Sequence, residues 1–141
     1  MNTIFRSIVL TIWQLPQIIL SYFVILFTNA KKTSLVVNSQ LTVTFYHSTR
    51  FNFGVSLKNI IIGSKSETYP INTVRHEYGH TKQSKYLGVF YLLIIGFPSL
   101  CGNIYDRLTH KNWTNAKRIE WYYSQPWEKW ADELGGVYRG R

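Results

Sequence analysis

The pattern of apolar and polar positions divides the chain into blocks. From Ser7 to Thr28 there is no charged residue, and this run (SIVLTIWQLPQIILSYFVILFT) is preceded by Arg6 and followed by Lys31-Lys32. Its length suits a membrane-spanning helix. Pro16, flanked by Gln14 and Gln17, falls near the middle and predicts a kink or a turn back. Three arrangements fit the pattern: a kinked transmembrane helix, a re-entrant or interfacial helical pair, and a cleaved signal peptide. The run is long for a signal peptide, so residues 1–32 read as a retained membrane anchor.

Beyond the anchor the period changes. Leu41-Thr42-Val43-Thr44-Phe45-Tyr46 alternates and is β-branched, and Val55 to Ile62 predicts another strand, with turns at Asn38-Ser39 and around Asn52 and Gly54. A small antiparallel sheet between Leu35 and Gly63 is therefore expected. Ser64 to Pro70 is a polar loop ending in proline, a natural lead into a helix, which the spacing predicts over Asn72 to Tyr86. That helix carries Arg75, Glu77, Lys82 and Lys85, so it is not a membrane span. Leu87 to Phe97 is strongly apolar but ends at Gly96 and Pro98, short for a span; a buried or membrane-dipping helix is expected there. Asn103 to Asn115 has the composition of a loop. Ala116 to Leu134 predicts a final helical stretch, broken at Pro126 and stopped by Gly135-Gly136. The fold class expected is α+β. A membrane helix or helical pair is followed by a small sheet, a polar helix, an apolar helix and a C-terminal helix, with residues 33–141 forming one domain.

Composition narrows the function classes. Hydrophobic residues make up 45% of the 141 and charged residues 16%, which gives material for a core and excludes disorder. Cys101 is the single cysteine, so an internal disulfide and a thiolate metal cluster are both excluded and a reducing compartment is allowed. The formal charge is +9, yet the basic residues are scattered and form no nucleic-acid-binding motif. Anionic membrane lipids are the expected partner and nucleic acid is not. Lys31-Lys32 outweigh Arg6 across the apolar run, which predicts a domain on the cytoplasmic face of the inner membrane.

The candidate chemistry lies in His76-Glu77-Tyr78-Gly79-His80, an HExxH pattern on the predicted polar helix. Residues four apart share a helix face, so both imidazoles can reach one metal ion. Glu77 lies on the adjoining side, placed to take a proton from water activated by zinc, which lowers the pKa of that water to about 7. Composition alone yields this pattern by chance in roughly one of several hundred chains of this length. A catalytic zinc needs a third protein ligand and an open position. Asp106, His110, Glu120, Glu128, Asp132 and Glu133 are available downstream. Glu128 is the most attractive because Asp132 follows four residues later on the same face, where one carboxylate can bind metal and the other can orient a ligand histidine.

His76-Glu77-x-x-His80 followed by Glu128-x-x-x-Asp132 resembles the gluzincin zinc peptidases, whose third ligand is a glutamate on a later helix. More closely, the chain is similar to small bacterial membrane-associated zincins. The stretches that carry the likeness are Trp13-Gln14-Leu15-Pro16-Gln17, Gly54-Val55-Ser56-Leu57, the HExxH motif with Gln83-Ser84, Gly96-Phe97-Pro98-Ser99, and Glu128-Lys129-Trp130-Ala131-Asp132 with Leu134-Gly135-Gly136. The resemblance implies a minimal zincin-like fold in which zinc is held by His76, His80 and Glu128. It makes Glu77 the general base and Asp132 the support of a ligand histidine. The chain departs from the larger gluzincins in lacking a second lobe.

The expected activity is zinc-dependent hydrolysis of a peptide or protein substrate at a membrane surface. Hydrolysis of another amide or an ester is a second reading, and a catalytically silent membrane protein with structural zinc is a third. The strand near Val55 to Ile62 is either a template for an extended peptide or an ordinary sheet strand. Gly79 marks either a close approach of strand or substrate or plain helix packing. Tyr122, Tyr123, His110 and Arg107 are the candidate oxyanion stabilisers. Nothing in the sequence sets an oligomeric state.

Overall fold

A computed structural model of the chain describes residues 2–66 and 69–140; Glu67-Thr68, in the predicted polar loop, lie outside the described residues. The N-terminal run folds as two helices, α1 (Thr3–Trp13) and α2 (Leu15–Thr28), bent by 73° at Gln14. Pro16 occupies the first turn of α2, where its missing N–H has no helical acceptor to lose. Among the described residues no single helix is long and apolar enough to cross a membrane; the α1–α2 pair meets that requirement only taken together across its bend.

α2 is inside-out relative to an ordinary surface helix. Gln17 and Ser21 are fully buried, while Phe23, Leu26 and Phe27 are 68%, 79% and 83% exposed. The polar stripe is bonded to the body of the protein. Gln14 Nε2 donates to Ser84 Oγ at 2.8 Å, Gln17 Nε2 to the Gly88 carbonyl, and Asn59 Nδ2 to Ser21 Oγ at 3.1 Å.

The sheet has four strands, β1 (Lys31–Asn38), β2 (Leu41–Ser48), β3 (Gly54–Ser56) and β4 (Ile60–Gly63), in the order β1-β2-β4-β3. It is mixed rather than antiparallel: β1–β2 and β3–β4 are antiparallel hairpins, but β2 and β4 run parallel. The expected strand over Val55 to Ile62 is in fact the β3–β4 hairpin, turned at Leu57-Lys58-Asn59. The apolar run Ile60-Ile61-Ile62 explains the order. All three side chains are buried, as in strands covered on both faces, so β4 takes the interior place. Gly54 and Ser56 are left on the edge strand.

One face of the sheet packs on α3 (Ile71–Leu87), with Val43, Phe45, Ile60 and Ile62 around Val74. α3 is unusual in burying polar residues: His76, Glu77, His80, Thr81, Gln83 and Ser84. After α3 the chain passes through a 3₁₀ turn (Gly88–Phe90) and a π turn (Leu92–Gly96) into α4 (Phe97–Thr109), and its direction changes by 117°. Pro98 thus opens a helix instead of ending one, and most of the expected loop over Asn103 to Asn115 is helical. α5 (Asn115–Tyr123), capped by Thr114, and α6 (Pro126–Gly135) follow, and the predicted break at Pro126 is the junction between them.

α6 lies directly on α3. A Cβ on Gly79 would fall 1.9 Å from the Ala131 carbonyl oxygen, and one on Gly135 would fall 2.0 Å from that of Arg75. Gly79 is therefore explained by helix–helix packing, one of the two roles open to it. We expect Gly79→Ala and Gly135→Ala each to cost about 2 kcal/mol or more by forcing backbones apart. Gly102→Ala, whose new methyl would find its nearest neighbours 3.9 Å away, should be neutral or slightly stabilising. Urea denaturation distinguishes them; equal effects at all three positions would contradict the packing.

Candidate metal centre

The α3–α6 contact brings three side chains to one point. His76 Nε2 and His80 Nε2 lie 3.0 and 3.1 Å from Glu128 Oε2, and 3.1 Å from each other. Tetrahedral zinc bonds of about 2.0–2.2 Å hold ligand atoms about 3.3–3.6 Å apart, so a slight opening of this triangle fits the ion. Among the described residues this is the group whose ligand atoms converge. It matches the three residues expected as ligands, and all three are buried.

The other polar atom of each side chain is held, which aims the converging one. Asp132 Oδ1 accepts from His76 Nδ1 at 2.7 Å. The ionised carboxylate only accepts, so Nδ1 carries a proton, and in the neutral imidazole Nε2 is the nitrogen left with a lone pair. Asp132 is itself gripped by Arg139, from Nε to Oδ2 at 2.7 Å and from a terminal nitrogen to Oδ1 at 3.1 Å. Gln83 does the same for His80. Its Nε2 donates to the Trp127 carbonyl at 2.8 Å, which leaves Oε1 to accept from His80 Nδ1 at 2.7 Å. Ser99 Oγ lies 2.6 Å from Glu128 Oε1 and 2.9 Å from the Tyr122 hydroxyl. Asp132 was legible as a support from its spacing. Gln83 could have been found the same way, three residues beyond His80 on one helix face. Ser99 and Arg139 carry no local signal, because they reach the site through tertiary packing.

Glu77 is outside the converging group. Ser56 Oγ lies 2.6 Å from its Oε2, and its Oε1 is so close to Gly54 that a Cβ there would fall 1.9 Å away. The edge strand therefore seats this carboxylate, and a side chain at position 54 would displace it.

The electrostatics follow from this crowding. Burial works against a charged His76, but the hydrogen bonds it donates to Asp132 and Glu128 outweigh it and raise its pKa to about 9. Burial likewise works against ionised Glu128 and Asp132. Both are nonetheless held below the usual carboxylate range, Glu128 by the two imidazoles and Asp132 by His76 and Arg139. Three acceptor atoms facing one another within about 3 Å require a positive charge between them, from a proton or from a metal ion.

The remaining candidates are placed elsewhere. Asp106 bonds His110 at 3.0 Å and Arg118 at 2.7 Å in a separate cluster that joins α4 to α5, with His110 stacked on Trp113. Glu120 and Glu133 are exposed. Of the oxyanion candidates, His110 belongs to that cluster and Arg107 lies over the Phe53 ring. Tyr122 bonds Ser99, and Tyr123 sets its ring edge-on to His76 beneath Arg139. Burial raises both tyrosine pKa values, that of Tyr123 to about 12. No family model, curated protein or solved structure matches the chain.

The shifts predict the stability of the metal-free protein. His76 is raised from 6.5, so its contribution is complete below about pH 6.5 and is lost as pH rises through 9. Glu128 and Asp132 are depressed, so theirs is present above about pH 4 and is lost in acid. Thermal melting in a chelator should therefore show falling stability from pH 7 to pH 10, and zinc, which replaces the proton, should abolish that fall. A metal-free protein that grows more stable over the same range would contradict the arrangement.

Proposed function

We propose that the chain is a zinc-dependent peptidase acting at a membrane surface. The observation that carries this reading is the convergence of His76 Nε2, His80 Nε2 and Glu128 Oε2, each aimed by a bond at its far side. The donor set suits zinc, and three ligands leave a tetrahedral position open, as catalytic sites do. A purely structural site would be closed by a fourth protein ligand, and no fourth joins the group among the described residues. Bound there, zinc would supply a Lewis acid that brings the pKa of a coordinated water to about 7.

The chain's own groups then have distinct tasks. Glu77 is close enough to His76 to affect its charge yet bonds no ligand atom. In this reading it takes the proton of the attacking water and delivers it to the departing amine. Ser56 and Gly54 hold it in place. The edge strand supports a peptide substrate in particular. Phe53 bonds Gly63 at the end of β4 and Leu57 bonds Asn59 in the turn before it, so Val55 faces β4 and Gly54 and Ser56 direct their backbone groups to the free edge. The Tyr91 hydroxyl donates to the Ser56 carbonyl, leaving the Gly54 N–H and C=O and the Ser56 N–H to pair with an extended chain. The inside-out α2 supports attachment to lipid, since its exposed face suits hydrocarbon and its polar face is bonded inward.

Reconstituted protein should hold one zinc per chain. His76→Ala and Glu128→Ala should lose it, and Asp132→Ala should weaken it by about 10–100-fold. Glu77→Gln should keep the metal while hydrolysis of a peptide library falls by about 10²–10⁴-fold. Metal analysis beside mass-spectrometric cleavage assays reads both quantities. Loss of zinc from a folded Glu77→Gln protein, or undiminished cleavage by it, would overturn the assignment.

A further inference from the structure

We propose that Gly88 to Thr109 forms a lipid-facing wall of the metal centre, and that the substrate is a polypeptide anchored in the same bilayer and cut beside its membrane segment. This rests on the peptidase reading and adds the substrate class. The segment has two faces of opposite purpose. On the inner face, at helical spacing, the Tyr91 hydroxyl bonds the edge-strand carbonyl of Ser56, Ile95 packs in a cluster with Leu57, and Ser99 bonds Glu128. On the outer face Phe90, Leu93, Ile94, Phe97, Leu100 and Leu108 are 48–68% exposed. From Tyr86 to Tyr105 there is no charged residue. An exposed apolar surface of this extent marks an interaction site rather than a water-facing one.

The structure indicates that bilayer is the occupant. The outer face continues into that of the N-terminal helices, because the Trp13 ring lies edge-on to Phe90 at 6.5 Å and Gln17 bonds the Gly88 carbonyl. α2 buries its polar stripe and exposes its apolar one, the reverse of a helix that faces water. The charge at the margins is complementary to anionic headgroups. Residues 1–66 contain six basic residues and no acidic one, and the uncharged stretch is bounded by Lys85 on one side and Asp106-Arg107 on the other. The described acids do little to offset this. Glu77, Glu128 and Asp132 are buried in the site and Asp106 is bound to Arg118, which leaves Glu120 and Glu133 as the exposed acids among the described residues. With its wall in lipid and its edge strand against that wall, the centre lies at the interface. A tethered polypeptide is there at high effective concentration, and a free peptide is not.

Cys101, the single cysteine, is exposed on α4 beside Leu100 and serves as a native reporter. The full-length protein, labelled there with an NBD fluorophore, is reconstituted into phosphatidylcholine–phosphatidylglycerol vesicles. Quenching by acyl-brominated lipid with protection from aqueous dithionite is expected. The same label at Ser39→Cys on the β1–β2 turn, in a Cys101→Ser background, should show the reverse. If dithionite reaches the Cys101 label while a label at Leu20→Cys in α2 is quenched by bromolipid, the anchor stands and the wall is refuted. A Cys101 label shielded from both reagents means that a second protein copy covers this face, and also overturns the proposal. For the substrate class, one peptide library is presented either acylated on these vesicles or free in solution. Cleavage at least about tenfold faster for the anchored form is expected, and equal rates overturn it. If neither form is cleaved while the label is quenched, the peptidase reading fails and the lipid-facing wall survives.

Discussion

Three lone pairs that point at one another need a cation, and much of this fold serves to keep them pointing. Left free, His76, His80 and Glu128 would turn away from each other to reach water. Each is held at its far atom by a residue from a different place in the chain: Asp132 on α6, Gln83 on α3 and Ser99 on α4. The supports are themselves supported, by Arg139, by the Trp127 carbonyl and by the Tyr122 hydroxyl. A buried network of this kind is favourable only when every member is satisfied. A cation at its centre, whether proton or metal ion, would thus be as much a structural requirement as a chemical opportunity. The glycines at 79 and 135 belong to the same requirement, since they set the backbone approach that lets a short glutamate on α6 reach the histidines of α3.

Polarity in this fold is turned inward. α3 buries polar residues against the sheet and α6, and α2 buries Gln17 and Ser21, while large apolar side chains lie outside. The sum of these choices is a molecule with a polar interior seam and an extensive apolar exterior. In water that distribution opposes the hydrophobic effect. Beside hydrocarbon it does not, and the excess of basic residues at the margins is then complementary to the headgroups.

The elements governed by local rules were legible in the sequence. The HExxH spacing, Pro70 ahead of α3, the break at Pro126 and the glycine stop after α6 were all readable, and so was the pairing of Glu128 with Asp132. What depended on the partner of an element was not. Ile60-Ile61-Ile62 looked like the end of one strand because periodicity does not say which strands lie on either side, and so the parallel β2–β4 contact was missed. Pro98 read as a helix stop because proline marks a first turn as readily as an end. Ile104 and Leu108 were hidden among polar neighbours in what looked like a loop. Gln83, Ser99 and Ser56 all lie in stretches singled out for their likeness to zinc peptidases, but their tasks are defined by atoms up to tens of residues away.

X-ray absorption at the zinc edge of the reconstituted protein is the most direct test of the central claim. One zinc per chain is expected, with two imidazole nitrogens and only oxygen besides, four ligands in all, at about 2.0–2.1 Å. A protein that takes up no stoichiometric zinc, or a spectrum with a sulfur ligand near 2.3 Å or a third imidazole, would contradict it.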